Sequence, residues 1–503
     1  MNIRNVGHSM KYEAECVAML FFPDEKIVTT EYPAGETFPP QPEDYIENRL
    51  ENGVMKTTLC LNGEIRTMEQ KLYDDPQGPY EEAEFLMCDM MYTLLTQATG
   101  VHPGWGSLTG VRPVKLFHRR LDAGKSPEET GREFAEHFHV SDEKIALALE
   151  TASHEAPILR EATDDTCSLY VSIPFCPSRC SYCSFVSHDI ASERAKKILP
   201  VYVDRLCDEL CCIAEKIKQT GLKLTTVYFG GGTPTTLSAE QLDQVCSAVE
   251  RYFDLSHLKE YTVEAGRPDT IDRDKLRVLH SHHVDRISIN PQTLNDEVLK
   301  AIGRKHTAQQ IVDCFQMARE EGFENINMDL IAGLPGDTVE SFCDTIDRII
   351  ALAPENVTVH TLSIKRSANY GQSWEARRKA LELGQQVGKM VSYAQKRLME
   401  EGWMPYYLYK QRNTLGNLEN TGYCKKGYEG RYNIYIMDET QTILAAGGGA
   451  VSKLKSNRTG RLERIFNYKY PFEYVEHFDE ILKRKDRVVS FFEENRPLPL
   501  WKD

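Results

Sequence analysis

Residues 169–185 read LYVSIPFCPSRCSYCSF, an apolar strand-like run followed directly by three cysteines. The cysteines are Cys176, Cys180 and Cys183, with the spacing C-x3-C-x2-C. A loop this short can direct three thiolates at one centre. A cubane 4Fe–4S cluster normally takes four thiolates, so three would leave one iron open to an exogenous ligand. The stretch therefore predicts a cluster site that follows the first strand of the central fold.

Zinc is an alternative for the same cysteines. Structural zinc is usually held by C-x2-C pairs with a fourth ligand nearby, and His188 could supply that ligand. Three unconnected thiols are a further alternative, although their density in one short loop makes a shared centre the better interpretation.

A glycine-rich segment, VYFGGGTP over residues 227–234, follows the second strand-like run. Glycines at a strand end allow the backbone to approach a ligand closely and leave main-chain groups available for binding. Taken alone, the segment is also typical of an ordinary turn between a strand and a helix.

From Ser168 onward, strand-like and helix-like patterns alternate. Strand runs begin near Leu169, Thr226, Glu260, Arg286, Asn325 and Val357, and helical patterns cover 192–219, 238–253, 272–283, 307–321, 338–352 and 374–401. This alternation predicts an α/β fold with a parallel sheet covered by helices. Six units are fewer than the eight of a closed barrel, so we expect a partial (β/α)6 barrel with its chemistry at the carboxyl ends of the strands.

The sequence on either side of the alternating region predicts two further domains. Residues 1–165 indicate an α+β domain with a hairpin at Asn62-Gly63 and a helix over 80–98. The barrel is expected over 166–382. Residues 383–503 form the smaller C-terminal domain, in which residues 432–449, YNIYIMDETQTILAAGGG, are predicted to be a second hairpin.

Composition excludes several classes of protein. The 503 residues carry a formal charge of −15, which argues against a general nucleic-acid binder. No apolar run approaches the roughly 18 residues of a membrane span, and the N-terminal segment does not have the pattern of a secretory signal. The 14 cysteines are too sparse for a disulfide scaffold. We therefore expect a cytoplasmic protein that contacts neither membrane nor nucleic acid.

Together these motifs resemble the radical S-adenosylmethionine (SAM) superfamily. IPFC-x3-C-x-YC followed by GGGTP is similar to the oxygen-independent coproporphyrinogen III oxidase group. Later segments agree, including RISINPQTLND, AIGRKHT and NMDLIAGLPGDT, so the resemblance covers about residues 168–452. The N-terminal segment LTGVRPVKLFHRRLDAGKS is similar to the HemZ-type coproporphyrinogen dehydrogenase branch.

The resemblance implies a 4Fe–4S cluster and SAM as cofactors, with Cys176, Cys180 and Cys183 as the cluster ligands. The matching SAM-contacting positions are Tyr170, Gly231, Gly232, Thr233, Glu264, Gln292, Arg304 and Asp329. His360 stands where the family has an aromatic contact, which is a departure from the pattern. No catalytic side chain is assigned.

The implied reaction is the oxidative decarboxylation of coproporphyrinogen III propionates to vinyl groups by a 5′-deoxyadenosyl radical, giving protoporphyrinogen IX. Phe185 departs from the authentic oxidases, which carry a further cysteine at that position. The departure leaves two alternatives open: a haem or porphyrin chaperone of the same fold, and a radical SAM methyltransferase that modifies haem.

A tetrapyrrole substrate with four propionates requires local cations in a chain of this net charge. The candidates are Arg112 and Lys115 in the N-terminal domain, with Lys365 and Arg366 after the sixth strand. The family further implies an electron donor such as flavodoxin or ferredoxin, and we expect a monomer.

Overall fold

The computed structural model describes residues 1–23, 25–39, 43–72, 79–185, 187–363, 374–411 and 414–495. The helices are α1 (Lys11–Phe21), α2 (Pro79–Thr99), α3 (Pro113–Asp122), α4 (Pro127–Phe138), α5 (Asp142–Leu159), α6 (Glu193–Thr220), α7 (Ala239–Tyr252), α8 (Arg273–Ser281), α9 (Asp296–Ala301), α10 (Ala308–Glu320), α11 (Val339–Leu352), α12 (Trp374–Glu400), α13 (Arg431–Asp438), α14 (Pro471–Glu476) and α15 (Phe478–Asn495). The strands are β1 (Asn2–Val6), β2 (Val28–Tyr32), β3 (Tyr45–Glu51), β4 (Val54–Leu61), β5 (Glu64–Lys71), β6 (Thr166–Ile173), β7 (Phe175–Cys176), β8 (His188–Asp189), β9 (Lys223–Gly231), β10 (Glu260–Glu264), β11 (Arg286–Ser288), β12 (Asn325–Ala332), β13 (Asn356–Thr361), β14 (Met404–Lys410), β15 (Glu419–Cys424), β16 (Thr442–Ala446), β17 (Val451–Lys455) and β18 (Leu462–Phe466).

The chain folds into two compact units, and each unit is built from segments that are separated in the sequence. One contains residues 1–150, 361–391 and 409–420, and the other contains residues 151–360, 392–408 and 421–503. The three-domain division at 165 and 382 stays a prediction.

The larger unit is organised around an eleven-stranded sheet with the order β14-β15-β13-β12-β11-β10-β9-β6-β16-β17-β18. Strands β6, β9, β10, β11 and β12 pair in parallel, with β13 next to β12. Within the described residues the order is open, with β14 and β18 at its edges. The predicted α/β fold with a partial barrel is confirmed.

Local capping explains why the barrel helices begin where the pattern predicts. Ser192, Ser238, Asp272, Thr307 and Thr338 each accept a hydrogen bond from a backbone N–H in the first helical turn. Such caps satisfy N–H groups that have no partner inside the helix. The central strands are buried, as expected of a parallel sheet covered by helices.

The smaller unit contains a five-stranded sheet with the order β2-β1-β3-β4-β5. Leu61 pairs with Glu64 in antiparallel register, and both Asn62 and Gly63 have positive φ, as the predicted Asn-Gly hairpin requires. Its apolar core includes Ile3, Phe21 and Met87.

The predicted hairpin over residues 432–449 is wrong. Its first half is helix α13, and its second half is β16, which pairs in parallel with β6 rather than with the segment directly before it. The Glu260 carboxylate, on β10, accepts hydrogen bonds from the backbone N–H groups of Arg431 and Tyr432. A cap from a distant strand therefore stabilises a helix in a segment rich in residues that favour strands. The hairpin of this region is β16–β17.

None of the described helices has the length and apolar character needed to cross a membrane.

Candidate functional site

The cysteine loop leaves the carboxyl end of β6 and is held by backbone hydrogen bonds. Cys176 lies on β7, whose short parallel pairing with β8 brings Ile190 N to the carbonyl of Cys176 at 2.9 Å. Ser181 N donates to the carbonyl of Ile302, so the loop is also tied to the segment after α9. Cys180 is buried, whereas Cys176 and Cys183 are partly exposed.

The three cysteines are of the residue type that binds an iron–sulfur cluster. All three cysteines are free thiols. Within the described ranges, no group of three or more His, Cys, Asp or Glu side chains is placed to hold a single metal ion. A cubane is bound differently, because each thiolate takes a different iron and the sulfurs need not converge on one point.

The glycine loop lies against the cysteine loop. Gly232 N donates to the carbonyl of Ile173, and Thr233 N donates to the carbonyl of Phe175, both at 2.8 Å. The Thr233 hydroxyl is 3.4 Å from the Cys176 sulfur. A Cβ at Gly232 would lie 2.5 Å from the Phe175 carbonyl oxygen, so this position accepts no side chain. Gly231 has φ +107°, which L side chains rarely adopt.

Tyr170, Tyr228 and Tyr432 form a stack beside Glu264. The Tyr228–Tyr432 ring centroids are 4.4 Å apart, and those of Tyr170 and Tyr432 are 6.1 Å apart. The Tyr228 hydroxyl donates a 2.7 Å hydrogen bond to Glu264 Oε1. Burial is the main cause that raises the pKa of Glu264 to about 7. The hydrogen bond from Tyr228 acts to lower this pKa, whereas the negative charge of Asp329 acts to raise it.

Asp329 lies on β12 and is fixed by polar neighbours. Its Oδ1 accepts a 2.8 Å hydrogen bond from Asn327, and its Oδ2 lies 3.9 Å from His360 Nε2. Burial alone would raise the pKa of Asp329, but interactions with His360 and Asn327 lower it below the usual value. Gln292 N donates to the carbonyl of Asp329 at 2.9 Å, which places this buried residue directly beside it.

Arg304 connects the strand ends with the cysteine loop. It donates to the carbonyl oxygens of Asn290 at 2.8 Å and Gly266 at 3.3 Å. Its Nη2 donates to the hydroxyl of Tyr182, which lies between the last two cysteines. Its buried Nε has no hydrogen-bond partner in the described structure, so one donor is available for a ligand.

The SAM-contacting candidates thus all lie in the larger unit. They are on the strands of the parallel sheet or in the segments that follow those strands. The substrate candidates are placed differently. Arg112 precedes α3 and Lys115 lies within it, both in the smaller unit, and Lys365 and Arg366 lie outside the described residues.

Three neighbours of this site, Tyr228, Tyr432 and Arg267, were not predicted from the sequence. Tyr228 could have been found, because residues two apart on a strand share a face and it precedes Gly230 by two. Tyr432 could not, since its segment was predicted to be a strand. Arg267, which contacts the cysteine loop, carried no recognisable motif.

Comparisons with known proteins agree with this geometry. The Radical SAM superfamily profile matches residues 170–349. Oxygen-independent coproporphyrinogen-III oxidase-like protein HemZ of Bacillus subtilis (strain 168) is 42% identical over 405 residues, covering 80% of this chain and 80% of that protein. Heme chaperone HemW of the same organism is 31% identical over 302 residues, covering 60% of this chain and 74% of that protein.

Among solved structures, coproporphyrinogen III oxidase (HemN) from Escherichia coli matches with a TM-score of 0.48 at 23% identity, over 64% of this chain and 71% of that chain.

The parallel sheet, the cysteine loop and the profile match define a radical SAM protein. Within that superfamily, the chain belongs to the family of oxygen-independent coproporphyrinogen-III oxidase-like proteins. The resemblance seen in the sequence is confirmed. The cofactors of the superfamily are a 4Fe–4S cluster and SAM.

Proposed function

We propose that the protein is a radical SAM oxidoreductase that decarboxylates two of the four propionates of coproporphyrinogen III to vinyl groups, giving protoporphyrinogen IX. The observation that carries the proposal is the direct contact of the cysteine loop with the glycine loop, at 3.4 Å between Cys176 and Thr233. The 42% identity to a coproporphyrinogen-III oxidase-like protein supports the choice of substrate.

Cys176, Cys180 and Cys183 would hold the cluster, and Gly231, Gly232 and Thr233 would receive the methionine part of SAM. When bound, these groups supply a one-electron cleavage of the sulfonium that gives a 5′-deoxyadenosyl radical. A flavodoxin or ferredoxin would supply the electron.

The remaining residues bind and orient the cofactor. Glu264 and Asp329 offer carboxylate oxygens to hydroxyl or ammonium donors, and Arg304 offers its unpaired Nε to a carboxylate. Gln292 lies beside Asp329 and would add an amide contact. Three stacked rings, those of Tyr170, Tyr228 and Tyr432, would exclude water from the side of the site on which Glu264 lies. Radical chemistry requires such exclusion of water.

On the substrate, a hydrogen atom would pass from the β-carbon of a propionate to the 5′-deoxyadenosyl radical, which leaves the unpaired electron on that carbon. The carboxylate carbon then departs as CO2, one electron passes to a one-electron acceptor, and a vinyl group remains. Arg112, Lys115, Lys365 and Arg366 are proposed to bind propionates, because guanidinium and ammonium groups would offset the negative charge of the chain.

A second candidate is a haem carrier, and one observation favours it. Phe185 follows the third cysteine and is 60% exposed, so it presents an aromatic ring to solvent beside the loop. A phenyl ring offers a flat apolar face on which a porphyrin ring can stack, and a heme chaperone is among the relatives.

The test is an anaerobic incubation of the iron-loaded protein with coproporphyrinogen III, dithionite and SAM, with products analysed by chromatography and mass. Vinyl products are expected, and Cys180→Ser should abolish them. Cys207→Ser is the matched control, because this cysteine lies on α6 outside the loop. Tight haem binding without turnover would support the carrier function, and a methylated tetrapyrrole would support a methyltransferase; either result overturns the proposal.

A further inference from the structure

Arg267 is a buried cation in direct contact with the cysteine loop. It follows β10 and is 3% exposed. Its Nη1 donates to the carbonyl oxygen of Ser178 at 3.1 Å and to the Ser178 hydroxyl at 3.0 Å, and it lies 3.9 Å from the sulfur of Cys180. One guanidinium nitrogen thus contacts both the backbone of the loop and a proposed cluster ligand.

Asp269 holds this guanidinium from the other side. Arg267 Nε and Nη2 donate to the two oxygens of Asp269 at 3.0 and 2.9 Å, a bidentate pair. The geometry leaves only Nη1 directed at the loop. Asp269 is the more exposed partner, so solvent screens its charge more than that of Arg267.

Arg304 brings a second buried guanidinium to the same corner. It donates to Tyr182, two residues after Cys180, and interacts electrostatically with the Cys180 thiol. Two buried guanidinium groups therefore act on Cys180. No ion pair with an acidic side chain within 4.0 Å is found for Arg304 among the described residues.

Local charge and hydrogen bonds to the ligating sulfurs set the reduction potential of an iron–sulfur cluster. One-electron reduction makes the cluster and its thiolates more negative by one charge, and no proton is required. A nearby cation stabilises the reduced form more than the oxidised form, and the effect is strong where water is excluded.

We propose that Arg267 is a positioning residue that raises the reduction potential of the cluster through Cys180, and that Asp269 moderates this effect. The inference rests on the proposed ligation by the three cysteines. In the electron-transfer step, the donor protein is oxidised by one electron and the cluster is reduced by one. The two arginines make that transfer more favourable through their charge.

The experiment is a redox titration of the iron-loaded protein without substrate, followed by electron paramagnetic resonance. Arg267→Gln should lower the equilibrium constant for reduction about tenfold, which corresponds to a shift of about 59 mV to a more negative potential. Arg267→Lys retains the charge and should recover part of this shift. Asp269→Asn removes the opposing charge and should move the potential in the positive direction.

Lys300→Gln is the matched control, because it removes an exposed cation from α9 and should leave the potential unchanged. If Arg267 only supported the loop, both Arg267→Gln and Asp269→Asn would loosen it and shift the potential alike; that result overturns the inference. An unchanged potential in Asp269→Asn also overturns it, even where Arg267→Gln does not retain iron. Failure of the unsubstituted protein to bind a cluster would instead refute the proposed function.

Discussion

The Tyr228 hydroxyl donates a 2.7 Å hydrogen bond to Glu264 Oε1, joining the second and third strands of the barrel at their carboxyl ends. Gly230 makes the contact possible, because a Cβ there would lie 3.0 Å from the Tyr228 ring and 3.2 Å from the Glu264 carboxylate. The carboxylate is thereby fixed in a largely apolar, tyrosine-lined setting. The protonation of Glu264 can be measured through the dependence of protein stability on pH.

Replacing Glu264 with Gln should change how stability depends on pH. The pKa of Glu264 is about 7 in the folded chain against an ordinary 4.5, so the folded state binds more protons between these values. Its contribution to the free energy of unfolding therefore falls as pH rises from 4.5 to 7. We therefore expect the stability of Glu264→Gln, relative to that of the unsubstituted apoprotein, to increase by about 2–3 kcal/mol between pH 5 and pH 8 in urea unfolding.

Glu240→Gln is the control for this prediction, because that carboxylate is exposed and lies on α7. Its stability difference should show no comparable rise between pH 5 and 8. A Glu264→Gln difference that stays constant over the same range would contradict the assigned pKa.

Replacing Gly232 with Ala should disrupt cluster assembly. The new Cβ would lie 2.5 Å from the carbonyl oxygen and 2.8 Å from the nitrogen of Phe175, and backbone atoms cannot rotate away. Phe175 directly precedes Cys176, the first residue of the cysteine loop, so the amount of iron bound per chain should fall sharply. The free energy of unfolding should also fall, by about 1–3 kcal/mol. Colorimetric iron analysis after anaerobic reconstitution measures the first effect.

Gly388→Ala provides the comparison, since no atom lies within 4 Å of a Cβ at that position in α12. It should leave iron binding unchanged and stabilise the helix by up to about 1 kcal/mol. Equal iron loading in both variants would show that the close approach at Gly232 does not matter for the cluster.

The sequence predicted the barrel well because its signals are local. Ser192, Ser238 and Thr307 cap helices that follow within the same few residues, and the turn at Asn62-Gly63 depends on its own two residues. The cysteine and glycine loops are equally local, since each is a short segment at the end of one strand.

What could not be predicted depends on distant contacts. Helix α13 is capped by Glu260, which lies 171 residues before Arg431. Arg267 reaches Ser178 across 89 residues. Neither contact leaves a pattern in the local sequence, so Tyr432 and Arg267 enter the site only through the fold. The roles of Arg112 and Lys115 remain predictions, because both residues lie in the smaller unit.

Replacing Glu260 with Ala should therefore destabilise α13. The substitution removes the acceptor for two backbone N–H groups and for the Thr262 hydroxyl, in a buried environment. A loss of about 1–3 kcal/mol in the free energy of unfolding is expected. The tyrosine signal in near-ultraviolet circular dichroism should also change, because Tyr432 stacks on Tyr228. Glu297→Ala, in the exposed first turn of α9, should cost about 0.5 kcal/mol or less; a similar loss in both variants would refute the role of Glu260.

Lys410, in the smaller unit, should oppose folding at neutral pH. Its Nζ donates to the carbonyl of Leu108 at 2.7 Å, while Glu419 is occupied by Lys144 and Trp105, each at 2.7 Å. Burial lowers the pKa of Lys410 to about 7, only partly offset by the charge of Glu419. The unfolded chain thus binds more protons between pH 7 and 10.5, and the contribution of Lys410 to stability rises with pH over that range. Lys410→Met should remove this rise, so that the substitution stabilises the protein more at pH 7 than at pH 10. Lys389→Met, at an exposed position of α12, should not have this effect. Parallel pH profiles for Lys410→Met and the unsubstituted protein in urea unfolding would show that the Lys410 ammonium keeps its ordinary pKa.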